Sequence, residues 1–376
     1  VKNQARTTPT ALKPTADYQT VGVIEENLPV FYKQLKAKLT SPLAWRNAGD
    51  VAFDVWQKAA REKVLEYLTP TADPTPFQPE ILTEVNFADH LARKISFNLT
   101  AESRVLGLML IPKGAGPFPA VLLLHDHGAK FDIGKEKLIA PWDDSVKLTS
   151  AQAWVDKLYG GRFLGEQLVK QGYLVLAVDA LGWSDRGLIK YETQQALASN
   201  LLNLGSSLPG LMIGEDLRAA AFLASLPEVA ATQVAALGFS TGAFRAWQAA
   251  ALSPNIAVGA AVCWMAATKS LMIPGNNLLR GQSAYYMTLP GLIRYLDHPD
   301  VASIAAPKPL LFYAGELDPI FPAEAVKEAF TTMRHVWRSQ GASARLETKV
   351  WPGCGHEFNR EQQKAIFDWL DHWLKP

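Results

Sequence analysis

The chemistry in this chain starts at Ser240, in the hexapeptide "LGFSTG" (237–242), where Gly238 and Gly242 flank the serine two residues on either side. The apolar run before it reads as a strand, and the alanine-rich stretch after it reads as a helix. A serine on a sharp strand-to-helix turn is held in a strained conformation with its hydroxyl exposed. Glycines at −2 and +2 remove the Cβ atoms that would clash there. The following helix aims its N-terminal amides and dipole at the same point. These features predict that Ser240 is a nucleophile.

Such a serine needs a base. Of the seven histidines, His356 in "WPGCGHEF" (351–358) lies after the last expected strand and before the closing helix, on the sheet edge that carries Ser240. His335 and His372 fall within helical stretches, His90 in the N-terminal ribbon, and His298 before a proline in a long insertion. The base in turn needs a carboxylate to fix its tautomer. "YAGELDPIFP" (313–322) offers Glu316 and Asp318 at a strand end, and Asp318, set off by a short loop, is the expected partner.

A tetrahedral oxyanion needs hydrogen-bond donors. One is expected from the backbone N–H of Thr241, and the other from the loop "HDHGAK" (125–130), through the N–H of His127 or of Gly128. A rival reading makes His125, Asp126 and His127 metal ligands. Residues at i and i+2 on an extended chain point to opposite sides, and no further ligand cluster joins them, so neither a metal nor any other cofactor is expected. Cys354, two residues before His356, reads as a small loop residue rather than a thiol nucleophile. "GAGPFP" and "GNN" lack the spacing of dinucleotide or phosphate loops.

These residues must be positioned by elements that alternate. "AVLLLH" (120–125) is a continuous apolar run of the kind a strand buried on both faces shows, and "YLVLAVDA" (173–180), "VAALGF" (234–239), "IAVGAAVCW" (256–264), "PLLFYAGE" (309–316) and "ARLETKVW" (344–351) also read as strands. Helical patterns separate them, including "WVDKLYGGRFLGEQLVKQG", "PAEAVKEAFTTMRHVWRSQG" and "REQQKAIFDWLDHWL". The alternation predicts an α/β fold: a mainly parallel central sheet with helices on both faces and ligands at the carboxyl ends of the strands. Ahead of this, "ILTEVNFAD", "ARKISFNLT" and "RVLGLMLIP" alternate as an antiparallel ribbon would. Residues 1–80 form a tail and helical extension, with "ENLPVFYKQLKAKL" and "VAFDVWQKAAREKVLEYL" at helical spacing. "TPTADPTPFQPE" (69–80), with four prolines, is the linker to the catalytic domain expected over 81–376.

Composition agrees with one large folded domain plus additions. The 376 residues are 48% hydrophobic and 19% charged, with a net charge of +1. That balance leaves no basic footprint for nucleic acid. Two cysteines build no disulfide framework, and no apolar run approaches the ~20 residues of a membrane span.

With nucleophile, acid and base in this order, the chain resembles the α/β-hydrolase superfamily over roughly residues 81–376. Within it, "LLLHDHGAKFDIGKEK" (122–137), "AVDALGWSDRG" (177–187), "GFSTGAFRAW" (238–247) and "GNNLLRGQSAYYM" (275–287) look like the bacterial dienelactone-hydrolase-like and acetyl-xylan-esterase-like branch. That branch includes esterases associated with polysaccharide utilisation. The resemblance implies the triad Ser240–Asp318–His356, a polysaccharide or oligosaccharide ester as substrate, and export to the periplasm or outside the cell. It implies removal of acetyl groups or of uronate methyl esters.

The insertion over 265–308 should roof the site. "MAATKSLMIPGNNLLRGQSAYYMTLPGLIRYL" (265–296) holds Lys269, Arg280 and Arg294 and no acidic residue. A cationic roof would favour an anionic substrate such as a uronate polymer, with Arg280 as the best carboxylate clamp; the alternative is that the three cations pair with scattered carboxylates or water. Trp264, Tyr285 and Tyr286 read either as a wall that stacks on sugar rings or as core packing. Two other functions use the same residues: a serine peptidase or amidase, and a non-catalytic carbohydrate-binding module on a hydrolase fold. The oligomeric state is not legible.

Overall fold

The computed structural model describes residues 24–26, 28–68, 73–187, 189–275 and 284–375. Arg280, the expected clamp, lies outside the described residues. At the N-terminus a short ribbon pairs β1 (Ile24–Glu25) with β2 (Leu28–Pro29), ahead of helices α1 (Tyr32–Ala37) and α2 (Phe53–Leu68). The helical spacing expected across 26–39 is realised only over α1, since the backbone at Leu28–Pro29 is committed to the ribbon.

Chain order continues with β3 (Glu80–Asn86), β4 (His90–Asn98), β5 (Arg104–Pro112), β6 (Phe118–Leu124), α3 (Ser145–Leu158), α4 (Leu164–Lys170), β7 (Leu174–Val178), α5 (Tyr191–Asn203) and α6 (Leu208–Ser225). It closes with β8 (Val229–Phe239), α7 (Thr241–Leu252), β9 (Val258–Val262), α8 (Thr268–Leu271), α9 (His298–Ser303), β10 (Leu310–Gly315), α10 (Ala323–Ser339), β11 (Leu346–Trp351) and α11 (Arg360–Leu374). The nine strands β3 to β11 form one sheet in the order β11-β10-β9-β8-β6-β7-β5-β4-β3. Pairing is parallel from β11 to β7 and antiparallel from β7 to β3. This is the predicted α/β class, with the antiparallel ribbon as one flank. The strand order turns back between β6 and β8, so the loops leaving those two strands meet, and ligands of parallel sheets bind at such a switch point.

Residue alternation sorts the apolar side chains to the two faces. Leu122, Leu124, Val234 and Ala236 belong to one core with α2, α6, α7 and α10, whereas Val121, Leu123, Ala235 and Leu237 belong to the other with α3, α4 and α11. Burying both faces explains the unbroken apolar runs. Helix α2 adds Trp56, Ala60, Val64 and Leu68 to the first core, so the N-terminal extension shares the core of the sheet. It is also tied to the insertion: Leu43 N–H donates to the Tyr295 carbonyl at 3.1 Å, Gln57 donates to the Ile304 and Ala306 carbonyls, and Arg46 pairs with Asp300 at 2.9 Å.

One expected helix is two. The stretch 154–172 breaks between α3 and α4 because Gly160 and Gly161 adopt φ of +62° and +74°, a left-handed conformation that ends α3. Helix α4 then places Glu166 against Ala140, whose N–H donates to Oε1 at 2.8 Å, while Oε2 is buried without a hydrogen-bond partner. Burial raises this carboxyl from the ordinary value of 4.5 to about 7. The folded protein therefore holds a proton that the unfolded chain releases. The group's contribution to stability is full below the unfolded value and is lost as pH rises through about 7. Glu166→Gln removes this dependence. Its stability relative to wild type should rise by about 2–3 kcal/mol between pH 5 and pH 8 in urea unfolding. An equal gap at both pH values would contradict the assignment.

Candidate active site

Strand β8 delivers Ser240 to the sheet edge at φ +55° and ψ −125°, a strained conformation for a non-glycine residue. Ser240 N–H donates to the Val262 carbonyl of β9 at 2.8 Å, and its own carbonyl accepts from Phe244 N–H at 3.1 Å. The flanking glycines are required by contact. A Cβ on Gly238 would lie 2.1 Å from the Gly242 oxygen, and one on Gly242 would lie 1.9 Å from the Leu124 oxygen. Helix α7 is buried along its whole length. Its Arg245 forms a forked pair with Asp216 of α6 (2.8 and 2.6 Å), which fixes the helix beneath the serine.

The structure brings together the three residues named from the sequence. His356 Nε2 lies 2.9 Å from Ser240 Oγ, and His356 Nδ1 lies 2.7 Å from Asp318 Oδ2. The hydroxyl can only donate to an imidazole nitrogen whose other nitrogen carries the proton, and the buried Asp318 carboxylate holds that proton on Nδ1. Asp318 Oδ1 accepts the Ile320 N–H at 2.9 Å, so the carboxylate is gripped on both sides. The His356 ring rests between Phe239 (5.0 Å) and Phe321 (6.2 Å). Glu316 points elsewhere: it is exposed and accepts the Gly353 N–H at 2.9 Å. Asp318→Asn should accordingly lower kcat about 10³-fold or more, while Glu316→Gln should stay within about threefold of wild type. Steady-state kinetics on one small ester separates the two outcomes.

A cavity of about 240 Å³ opens over Ser240. Thr241, His127 and Gly128 are among its lining residues. Thr241 is the first residue of α7, so its N–H has no partner inside the helix. Gly128 has φ +56°, and a Cβ there would meet the Trp154 ring at 2.2 Å. The imidazoles of the loop are engaged in hydrogen bonds. His125 Nε2 accepts from the Ala180 N–H (3.0 Å) and its Nδ1 donates to the Asp126 carbonyl (2.9 Å). His127 Nδ1 accepts from the Ala129 N–H (3.0 Å), and Nε2 faces Gln194 Oε1 at 2.9 Å. Burial lowers the His127 pKa to about 4, keeping the ring neutral.

Trp264 lines the cavity wall, but it is buried, and its Nε1–H contacts Met287 Sδ at 2.5 Å. Tyr285 is not among the cavity-lining residues; it lies half-exposed on the insertion, while its neighbour Tyr286 packs on Trp183 and donates to the Leu181 carbonyl. The cationic roof is not realised among the described residues. Lys269 binds the Leu39 carbonyl, Arg294 sits over the Tyr295 ring at 5.9 Å, and the described lining has no lysine or arginine.

Two trios of possible metal ligands occur among the described residues. Cys263, Asp318 and His356 are the serine's own relay with a buried thiol beside it. Burial pushes that thiol's pKa upward. Glu136, Asp179 and Asp185 surround ammonium groups: Lys135 Nζ lies 2.6 Å from Asp179 and 2.5 Å from Asp185, and Lys147 Nζ lies 3.0 Å from Glu136. Lys135 is buried and Lys147 partly so, and lysines in short polar stretches carry no sequence signal that the fold encloses them.

Comparison with known proteins gives the chain a family and a fold. The profile of the dienelactone hydrolase family matches residues 161–370. The hydrolase-like protein YtaP of Bacillus subtilis (strain 168) is 28% identical over 315 residues, which are 84% of this chain and 98% of YtaP. Among solved structures, a protein from Bacteroides fragilis NCTC 9343 described as an acetyl xylan esterase is 20% identical, with a TM-score of 0.65 over 85% of this chain and 82% of that one. A glucuronoyl esterase from Solibacter usitatus is 13% identical, with a TM-score of 0.60 over 87% of this chain and 93% of that one. The likeness to these two structures is one of fold.

Proposed function

Since this chain belongs to the dienelactone hydrolase family, we propose that it is a serine carboxylic-ester hydrolase acting on ester groups of a carbohydrate. The carrying observation is the continuous relay from Ser240 Oγ through His356 to Asp318, at 2.9 and 2.7 Å, beside a half-open cavity of about 240 Å³. In this reading His356 Nε2 takes the hydroxyl proton as Oγ attacks the ester carbonyl. The N–H groups of Thr241 and His127 hold the oxyanion, and the proton passes from Nε2 to the departing alcohol. Water then attacks the acyl-enzyme with His356 again as base. Acid and alcohol leave, and Ser240 recovers its proton. The neutral His127 ring and Gln194 keep the donor loop in place.

The two structural neighbours are named for an acetyl xylan ester and a glucuronoyl ester, which supports weighing those two ester types here. The wall of Leu158, Phe239, Trp264, Met287, Ile320 and Phe321 is apolar, and the described lining carries no cation. That favours a small uncharged acyl group such as acetyl, with the sugar as leaving alcohol. A partly methylated uronate polymer would need Arg280 or another cation to meet the free carboxylates beside its neutral methyl esters. A polymeric substrate places the enzyme in the periplasm or outside the cell, and no described helix is long and apolar enough to cross a membrane. Parallel incubation with acetylated xylan and methylated pectin tests the reading. Acetate should appear at least about tenfold faster than methanol. Faster methanol release would transfer the assignment to uronate esters, and release of neither would remove the carbohydrate from it.

A further inference from the structure

The loop after β6 contains one peptide whose two ends face different chemistry. Its carbonyl belongs to Asp126 and its N–H to His127. The bond is trans, the cis bonds of the described chain being Gly116–Pro117 and Ala306–Pro307, so carbonyl and N–H point in opposite directions. The carbonyl end points into the protein and accepts two hydrogen bonds. One comes from His125 Nδ1 at 2.9 Å and the other from Lys137 Nζ at 2.8 Å. The opposite end belongs to His127, which lines the cavity over Ser240.

Lys137 is fully buried, and its donors are spent on this one loop. Besides the Asp126 carbonyl, Nζ reaches the His127 carbonyl at 3.1 Å and Asp126 Oδ2 at 3.4 Å. The Asp126 carboxylate is held by Tyr159 Oη at 2.6 Å and Trp154 Nε1 at 3.2 Å, so the ion pair is locked from below by α3 and the residue that follows it. Burying an ammonium is costly, and surrounding it with two main-chain carbonyls satisfies it in a way a surface lysine never needs. A cation on a carbonyl oxygen draws electron density through the amide and makes the N–H at the other end a stronger donor. In a water-poor interior that polarisation is little screened.

We infer that Lys137 is a positioning residue for catalysis: its ammonium orients and polarises the Asp126–His127 peptide so that the His127 N–H stabilises the oxyanion. The inference rests on the serine-esterase reading above. It accounts for a fully buried lysine that the Ser240–His356–Asp318 relay does not touch. It also explains why His125 presents its Nδ1–H to the same carbonyl: both donors push on one peptide.

The test is Lys137→Met, assayed with 4-nitrophenyl acetate beside wild type and Ser240→Ala. The kcat should fall about 30-fold or more, KM should stay within about threefold, and the midpoint of the pH–rate profile should not move. A loosened fold would instead raise KM or shift that midpoint, because it would disturb the cavity or the relay. Asp126→Asn/Lys137→Met removes both charges together and should show the same loss if the single variant fails to fold. A folded variant of either kind with kcat within about threefold of wild type overturns the inference. If neither folds, Lys137 is a folding residue and the positioning role is withdrawn. If Ser240→Ala also retains wild-type activity, the esterase reading falls together with this one; if it does not, only this one is at stake.

Discussion

Ser240→Ala should abolish turnover of a small chromogenic ester, with kcat reduced about 10⁴-fold or more, while the protein unfolds at the same temperature as wild type. The size follows from the geometry. Covalent catalysis needs an oxygen at the position where His356 Nε2 waits, 2.9 Å from Oγ, and among the described residues the hydroxyl in that hydrogen bond is that of Ser240. Water can replace the nucleophile only by entering a cavity shaped for a fixed one. Stability should be untouched because the Oγ makes its hydrogen bond to the catalytic imidazole, whereas the strained backbone is held by Val262 and by the buried helix behind it. Activity within about tenfold of wild type would remove Ser240 from the mechanism.

Gly242→Ala should fail in the opposite sense, through the fold. The added methyl would stand 1.9 Å from the Leu124 oxygen and 3.0 Å from the His125 oxygen, both main-chain atoms at the end of the central strand β6. Neither can rotate away, so either α7 or the loop carrying His127 must shift. The cost should be on the order of 3 kcal/mol or more, and the two halves of the oxyanion site should separate with it. Gly355→Ala is the control, since a Cβ there meets nothing within 4 Å; it should cost less than about 1 kcal/mol. Urea unfolding of the two variants distinguishes a contact requirement from a general preference for glycine. Similar losses in both would refute the steric account.

The sequence was most legible where physics is local. Strands β6 to β11, except β8, were readable to within about two residues at each end, the inner ones because a strand buried on both faces must be apolar throughout. β8 starts earlier than its apolar core, at Val229, where polar residues Thr232 and Gln233 hide the strand. The double glycine at 160–161 was visible, but its left-handed backbone was not, so two helices read as one. At the site, Ser240, Asp318 and His356 were legible because each follows a recognisable strand end. Less local features escaped: Lys137 owes its role to a fold that encloses it, and the placement of Trp264 and Tyr285 depends on how the insertion packs. Among the described residues the positive charge counted along the insertion is not found at the cavity, because Lys269 and Arg294 find partners elsewhere.

The central claim is that Ser240 is an activated nucleophile, and covalent labelling tests it most directly. Wild-type protein treated with a fluorophosphonate at neutral pH should gain one phosphonyl group, which peptide mass spectrometry should place on Ser240, and His356→Ala should label at least about 100-fold more slowly. A protein that hydrolyses esters yet remains unlabelled, or carries the label on another residue, would contradict the account.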